Sequence, residues 1–375
     1  MAVCSPIEIL YVISSLANEG PTRILLNLIH HLDKDRFAPS VVTLKNEKDN
    51  SLLTEFQSLG IPIVRLAGTS PSRSVGTFRR LRALRQQLIR GNFQIAHAHC
   101  PRSLFFLVAA APRVVKCAYT VHAYPGAFYK VIFGSLMGPV IAACANLALR
   151  FIDQPIACAD SVAAEYLEKR GLTFPAVNNG IEPMNLVSLG DRNAVLTSLG
   201  LEPNRRYLLF IGRLSAEKRI AELVRTFNAI DLPPADLVVV GAGPEEAALR
   251  AMSSAYLHVV GYHKDIRPFL AACDYYISSS ATEGLANTLL EAMSVGMPSL
   301  LSDIPSHRFV IQKCSGFVAH MFDPTSPESL LAAIRSLQER DSKEIRSDIQ
   351  QNFQTLFHAQ AMTRGYEALY KEMVN

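Results

Sequence analysis

The sequence has no C-x-x-C pair, no G-x-x-x-x-G-K run, no internal repeat and no low-complexity tract. Its seven cysteines (Cys4, Cys100, Cys117, Cys144, Cys158, Cys273 and Cys314) are odd in number and widely scattered. That argues against a zinc site and a disulfide framework, and fits a reducing compartment. Without G-x-x-x-x-G-K there is no Walker-type phosphate loop. A formal net charge of +4 over 375 residues is too mild to imply nucleic acid, so any basic partner surface must be local. The apolar run at 7–13 is preceded by no basic segment and followed by no small-residue cleavage site, so it reads as a first buried strand and not as a signal peptide.

What is present is a globular composition, 49% hydrophobic and 19% charged, in a chain long enough for two domains. Apolar runs of strand length fall at 7–13, 40–44, 62–66, 94–98, 116–121 and 155–158, then at 207–211, 236–240, 257–259, 275–278 and 299–301. Helix-period segments separate them, at 22–32, 50–59, 77–90, 216–230, 244–252, 265–272 and 287–295. This alternation predicts an α/β architecture of parallel sheets covered by helices on both faces. It pauses at 182–206, where Pro183, Gly190, Gly200 and Pro203 mark a connection. Two doubly wound domains are therefore expected, over 1–182 and 183–352, with a cleft between facing sheets and hinge closure about the connection. An amphipathic helix follows at 353–375. One segment, 131–149, carries no charge and approaches the length of a membrane span. Gly134, Gly138, Pro139 and Asn146 interrupt it, and Pro139 is expected to break or kink a helix. It reads as buried or surface-docked helix pieces, with membrane insertion as the alternative.

Two clusters carry chemistry. In the first, a strand ends in Ser278-Ser279-Ser280, small residues turn, and a helix starts near Gly284 to Asn287. Glu283 then lies at the helix N-terminus and Glu291 about two turns further in, on the same broad face. Backbone N–H groups at that end suit an anionic or hydroxyl-rich ligand, and two carboxylates suit hydrogen bonds from sugar hydroxyls. The plainer alternative is that Glu283 caps the helix and Glu291 is solvated. The second cluster is Phe210-Ile211-Gly212-Arg213-Leu214-Ser215-Ala216-Glu217-Lys218-Arg219, a strand, a glycine turn and a helix start. Gly212 would permit close backbone approach, and Arg213 with Lys218 would flank a diphosphate; the alternative is an exposed basic turn. His97-Ala98-His99 could offer two imidazoles from one strand face, but only Cys100 stands near as a further ligand, so a cleft-edge or packing role is preferred over metal.

With both clusters in this order, the sequence resembles the retaining glycosyltransferases of the GT-B fold, in the family with an E-x7-E motif (glycosyltransferase group 1 or family 4 type). Glu283 to Glu291 match that motif and Gly212 to Lys218 match the family's phosphate-binding run. Thr120-Val121-His122, Asn178-Asn179-Gly180-Ile181 and Val240-Gly241-Ala242-Gly243-Pro244 follow the family's order, so the resemblance covers nearly the whole chain. It implies two facing Rossmann-like domains, the first binding acceptor and the second binding nucleotide-sugar, with the C-terminal helix crossing back to the first. It implies that Arg213 and Lys218 bind the donor diphosphate and stabilise the leaving group. Glu283 would hold the donated sugar, near the backbone of Gly284, Leu285, Ala286 and Asn287. Glu291 would bind the ribose, Gly261 and Tyr262 would meet the base, and His122 would sit under the sugar. It further implies retention of anomeric configuration, with no metal or other cofactor. Two departures stand out: a Gly-Gly pair after the first strand is replaced by Asn18-Glu19-Gly20-Pro21, where Gly20 can still admit close approach, and Glu-Gly-Phe-Gly becomes Glu283-Gly284-Leu285-Ala286.

The expected reaction moves a sugar from a UDP-sugar, or a GDP-sugar, to a glycan or lipid-linked acceptor in bacterial surface polysaccharide or glycoconjugate assembly. Arg73, Arg79, Arg80, Arg82, Arg85 and Arg90 surround Phe78, Leu81, Leu84, Leu88 and Ile89, a basic amphipathic helix of the kind that docks on anionic membranes, with 127–151 as an adjacent apolar surface. The alternative is a solvated helix with its apolar stripe in the core. The chain is thus expected to be cytoplasmic, with peripheral attachment to the inner face of the membrane under the first of these readings, and with no nucleic-acid partner. A GT-B sugar-nucleotide epimerase and a non-catalytic peripheral membrane protein are the competing functions. An epimerase would convert donor without an acceptor.

Overall fold

Parallel strands are covered on both faces, so they are written as unbroken apolar runs. The first strand ends in five consecutive buried residues, Ile9 to Ile13. The computed structural model describes residues 5–66, 73–252 and 254–375; Cys4 lies outside them, and the other six cysteines are free thiols. The chain divides into two units, Met1–Gly180 with Ala359–Asn375, and Ile181–His358.

The first unit holds strands β1 (Ile7–Ile13), β2 (Phe37–Thr43), β3 (Ile63–Arg65), β4 (Ile95–Ala98), β5 (Lys116–Val121) and β6 (Gln154–Ala157), alternating with helices α1 (Gly20–His31), α2 (Leu53–Gln57), α3 (Arg73–Arg90), α4 (Pro101–Ala110), α5 (Pro125–Ala148) and α6 (Asp160–Arg170). The sheet order is β3-β2-β1-β4-β5-β6, with every pairing parallel. Winding reverses between β1 and β4, the point where doubly wound sheets open a crevice at their carboxyl ends. Helix α3 packs on α4 and α4 on α5.

Two expectations change here. Helix α3 splits its side chains: Leu84 and Leu88 enter the core, while Phe78 and Ile89 stay exposed. Its arginines divide likewise. Arg80 Nη1 donates to the Leu44 carbonyl at 2.9 Å and Arg85 Nη1 to the Ala110 carbonyl at 3.2 Å; Arg80 is half-buried, whereas Arg79, Arg82, Arg85 and Arg90 are exposed. Helix α5 breaks at Gly134, five residues before the expected Pro139, because Gly134 adopts φ 82° and ψ 167°, which only glycine tolerates. Its arms fold back on each other. A Cβ on Gly138 would lie 2.5 Å from the Lys130 Cα and the Tyr129 carbonyl oxygen.

The second unit opens with a short helix, α7 (Arg192–Ser198), inside the predicted connection. Its sheet comprises β7 (Tyr207–Ile211), β8 (Asp236–Val240), β9 (Leu257–Gly261), β10 (Tyr275–Ser278), β11 (Ser299–Ser302) and β12 (Ala319–Phe322). The helices are α8 (Ile220–Asn228), α9 (Glu246–Ala251), α10 (Arg267–Ala272), α11 (Asn287–Ser294), α12 (Pro305–Lys313), α13 (Pro327–Arg340) and α14 (Lys343–Leu356). The order β12-β11-β10-β7-β8-β9 repeats the first unit's winding, with reversal between β7 and β10. Leu208, Phe210, Val239, Phe227, Ile334 and Leu337 are among its buried core. Asp274 fixes the amino end of the sheet, accepting from Arg206 at 2.7 Å, from Arg192 at 2.9 Å and from the Tyr207 amide at 2.9 Å.

Strand β12 escaped the sequence reading because its four residues, Ala-His-Met-Phe, have only their ends fully buried. The helix expected over 216–230 is a 3-10 turn at Ala216–Lys218, then α8, separated by Arg219 at φ 51°. The C-terminal element expected from residue 353 is two helices. Phe353 lies in α14, which packs on α11 within the second unit, and only α15 (Ala359–Val374) joins the first unit, against α1.

Helix α15 completes a polar knot in the first unit's core. His97 is fully buried; its Nδ1 bonds the Tyr370 hydroxyl at 2.7 Å and its Nε2 the Thr120 hydroxyl at 2.9 Å, and Thr120 reaches Tyr366 at 3.0 Å. The His99 ring lies 4.2 Å from His97 between centroids, and neither His99 nitrogen has a hydrogen-bond partner. Among the described residues no group of three His, Cys, Asp or Glu side chains gathers as a metal would need. Burial drives the His97 pKa down to about 3 and that of His99 well below the usual imidazole value.

Two outcomes follow from the packing. Gly241 has φ 148°, and a Cβ there would stand 1.8 Å from the Gly212 carbonyl oxygen. Gly241→Ala should therefore destabilise the second unit by about 2 kcal/mol or more, read as a lower denaturant midpoint. The second concerns pH. Unfolded histidine takes its proton near pH ~6.5, while folded His97 and His99 resist it, so the unfolded chain binds more protons below that pH. Stability should be full above it and fall with acidification by about 1.4 kcal/mol per pH unit for each such histidine. His97→Gln should make the fall of the melting temperature from pH 6.5 to 4.5 shallower; an unchanged slope would mean that the ring protonates in the fold.

Candidate active site

Every candidate residue of the second unit follows the carboxyl end of a parallel strand. Arg213 and Lys218 follow β7, Gly241 follows β8, Gly261 closes β9 and Glu283 follows β10. Strands β7 and β10 are neighbours, so their loops meet at the reversal of winding. Three contacts lace them together. The Ala281 amide donates to the Glu217 carbonyl at 2.9 Å and the Ser279 hydroxyl to the Lys218 carbonyl at 2.7 Å. The Lys218 ammonium pairs with Glu283 Oε1, which also accepts from the Ser280 hydroxyl at 2.7 Å. Burial would raise the Glu283 carboxyl, but the charge and hydrogen bond of Lys218, with help from Ser280 and His307, hold it below the usual carboxylate range. Glu283 is thus a shielded, ionised acceptor.

Helix α11 begins after Ala286, whose side chain cannot cap it, so Glu283 is not the cap that the plainer alternative required. Nor is Glu291 solvated: it is 4% exposed, on the helix that Tyr276 holds through a 2.8 Å hydrogen bond to Thr288. Arg213 belongs to a turn tied to the β8 loop, where the Gly212 amide donates to Val240 and the Leu214 amide to Ala242, each at 3.0 Å. Close approach was expected at Gly212. Its own Cβ would meet protein atoms only at 3.6 Å and beyond, and the tight positions are Gly241 and Gly243, whose Cβ would stand 2.3 Å from the Leu214 carbonyl oxygen. Gly261 has φ 85°, and Tyr262 after it is 53% exposed.

Residues not singled out from sequence stand behind Glu283. The Ser302 hydroxyl donates to the Ser280 carbonyl at 2.7 Å, and His307, nearly fully buried, places Nδ1 at 2.8 Å from the Ser302 carbonyl. A carbonyl only accepts, so Nδ1 carries the proton. Nε2 is then the bare nitrogen, and it has no partner. The run Ser278-Ser279-Ser280 at a strand end was the available signal; His307 gave none.

Within the first unit, Gly20 is the first residue of α1, after β1, and Pro21 occupies the first turn. His122 follows β5. Its Nε2 is shielded and without a partner, and burial lowers its pKa to about 4 against a weaker upward pull from the His99 backbone. The fragment Asn178-Asn179 has a local structural use: the Asn178 side chain accepts the Asp160 amide at 2.9 Å at the start of α6.

Comparison with known proteins agrees with this geometry. Residues 19–184 match the model described as Glycosyltransferase Family 4, and residues 205–340 that described as Glycosyl transferases group 1. A putative teichuronic acid biosynthesis glycosyltransferase, TuaC of Bacillus subtilis, is 27% identical over 47% of this chain and 46% of its own. An Escherichia coli UDP-Gal:alpha-D-GlcNAc-diphosphoundecaprenol alpha-1,3-galactosyltransferase is 27% identical over 40% and 38%. The chain spans about half or less of the length of these curated relatives. Among solved structures, Anabaena Alr3699/HepE in complex with UDP and glucose superposes with a TM-score of 0.79 at 19% identity, over 97% of this chain and 99% of that one. Two family models that together run through both units, on twin six-stranded parallel sheets, make the chain a member of the GT-B glycosyltransferases.

Proposed function

We propose that this chain transfers a sugar from a UDP-sugar to a glycan or lipid-linked acceptor in bacterial surface polysaccharide assembly, with retention of anomeric configuration and without a metal. The observation that carries the reading is the Lys218–Glu283 pair across the β7 and β10 loops, with Glu291 buried on the following helix. In this reading Arg213 and Lys218 hold the donor diphosphate and take up the charge that grows on it as the sugar–phosphate bond breaks. Glu283 accepts hydrogen bonds from the sugar, beside the backbone of Gly284 to Asn287. Glu291 takes the ribose, and Gly261 with Tyr262 meets the base. His122 is the first unit's contribution to the sugar, and Gly20 its close-approach position. The acceptor oxygen bonds to the anomeric carbon on the face the phosphate leaves, and its proton passes to the departing diphosphate.

The UDP preference draws support from the galactosyltransferase relative, whose name specifies UDP-Gal, and from the Anabaena neighbour solved with UDP. One curated relative is named for teichuronic acid biosynthesis and the other for a diphosphoundecaprenol-linked acceptor. A polyprenyl acceptor belongs at a membrane. The exposed Arg79, Arg82 and Arg90 of α3 suit the anionic surface of the cytoplasmic leaflet, so the protein is read as cytoplasmic and peripheral.

A thermal-shift series with UDP-, GDP- and ADP-sugars tests the donor. A UDP-sugar at a hundred times its dissociation constant should stabilise the protein by about 2.7 kcal/mol, with the shift weakened in Arg213→Ala and Glu291→Ala. No response to any of the three would remove the donor-site reading. Glu283→Gln should lower kcat about a hundredfold while leaving UDP affinity within about threefold, since its bonds go to the sugar and not the nucleotide. An equal loss of UDP binding would reassign Glu283.

A further inference from the structure

The segment 56–152 contains no Asp or Glu, yet holds twelve of the chain's 37 Lys and Arg residues. The rest of the chain, with 25 cations and all 33 acids, carries a formal net charge of −8. The modest overall charge therefore hides a strongly cationic block. Helices α3, α4 and α5 are its consecutive crossovers and pack side by side along the first unit. Exposed cations are spread along it: Arg79, Arg82 and Arg90 on α3, Arg102 and Arg113 around α4, Lys130 and Arg150 on either side of the α5 turn and second arm.

Among the described residues, the same flank carries the first unit's densest exposed apolar group. Gly134 reverses α5, and the residues around that turn face solvent: Val131, Phe133, Leu136 at 86%, Met137 at 56% and Val140. Further along, Ala142, Ala145, Ala148 and Leu149 are buried, which anchors the second arm to the fold. The stretch Phe133–Phe151 has the length and hydropathy of a membrane span. A segment tied down through those four residues, and crossed by the Tyr129–Lys130 backbone at Gly138, is held against the unit instead of crossing a bilayer.

What covers an apolar turn ringed by cations is set by charge. A symmetric contact between two copies would bring like-charged flanks together, with no acid from this block to offset them. An anionic bilayer supplies both complements: headgroups for the cations and an acyl boundary for Phe133, Leu136 and Met137. We propose that the α5 hairpin is a membrane-penetrating element, its Phe133–Met137 turn entering the interfacial zone of an anionic bilayer while the cations of α3 and of the hairpin flanks bind headgroups. This deepens the peripheral-membrane reading above and rests on it. The turn is the depth anchor; the arginines are the attraction.

The chain has no tryptophan, so a single introduced one reports its own surroundings. Leu136→Trp in the full-length protein, mixed with vesicles of phosphatidylcholine containing phosphatidylglycerol, should shift its emission to the blue and be quenched by lipids brominated on the acyl chain. Leu232→Trp, at a residue 79% exposed in the second unit, should do neither. The shift should vanish on pure phosphatidylcholine and weaken with salt, and Met137→Glu added to Leu136→Trp should reduce partitioning about tenfold or more. Sedimentation with the anionic vesicles but without acyl-chain quenching would overturn the hairpin's insertion and leave the surface reading standing. No sedimentation at low salt would overturn both. A blue shift without lipid that grows with protein concentration would make the turn an interface between copies and also overturn the proposal. Thermal shift by UDP-sugar on the same variant reports the donor site separately.

Discussion

A carboxylate withdrawn from water stays ionised only beside a compensating charge, and that constraint organises the second unit's binding end. Glu283 is held ionised by Lys218, and the pair forms across the loops that follow the neighbouring strands β7 and β10. Lys218 sits on a short 3-10 turn, not within a regular helix, and the left-handed Arg219 starts α8 anew. Had the helix run on through 216–230, the ammonium would not end its own turn beside the β10 loop. Ser279, Ser280 and Ser302 then bind the loops to each other, so the position of the carboxylate is set by backbone as well as by charge.

Much of this was legible in the sequence, for a physical reason. Strands covered on both faces need continuous apolar runs, so eleven of the twelve were visible and the exception, β12, is the one whose middle residues are only partly buried. The two motif clusters were legible because cations and carboxylates at strand ends have few structural uses. Less legible was anything decided by a backbone torsion or by a partner distant in sequence. Gly134 and Pro139 both looked like breakers, and only the torsion shows that glycine makes the break. The tight backbone packing at Gly241 and Gly243 is set by the neighbouring loop and could not be read from their own spacing. His97 and His99 share a strand face by spacing, and the sequence favoured a cleft-edge or packing role for them over metal. Their surroundings, Tyr366 and Tyr370 from the far end of the chain, could not be inferred from neighbours in sequence.

The histidines also show how one residue type serves two purposes at one sheet edge. His97 has both nitrogens satisfied and belongs to the core. His122, after the adjacent strand, keeps a shielded Nε2 without a partner. A polar atom left so has given up solvation without gaining a bond, a cost of about 1–3 kcal/mol. A fold tolerates that most readily where something else supplies the missing partner. The same accounting applies to Nε2 of His307 in the second unit, whose tautomer is fixed by a backbone carbonyl.

Averaged charge is a poor guide to a surface. Two opposite blocks along one chain give +4, a value too mild to imply a polyanionic partner by itself, while one block alone carries twelve cations and no acid. In the proposed reading the first unit's flank meets negative charge that the protein does not itself provide. Ninety-odd residues without one acid also forgo the intrahelical Glu–Lys pairs that would otherwise stabilise exposed helices, about 0.2–0.5 kcal/mol each. Helix α3 instead ties the Arg80 and Arg85 guanidinium groups to backbone carbonyls, while Arg79, Arg82, Arg85 and Arg90 are exposed. One helix thus carries arginines tied to backbone carbonyls and arginines exposed to a surface beyond the protein.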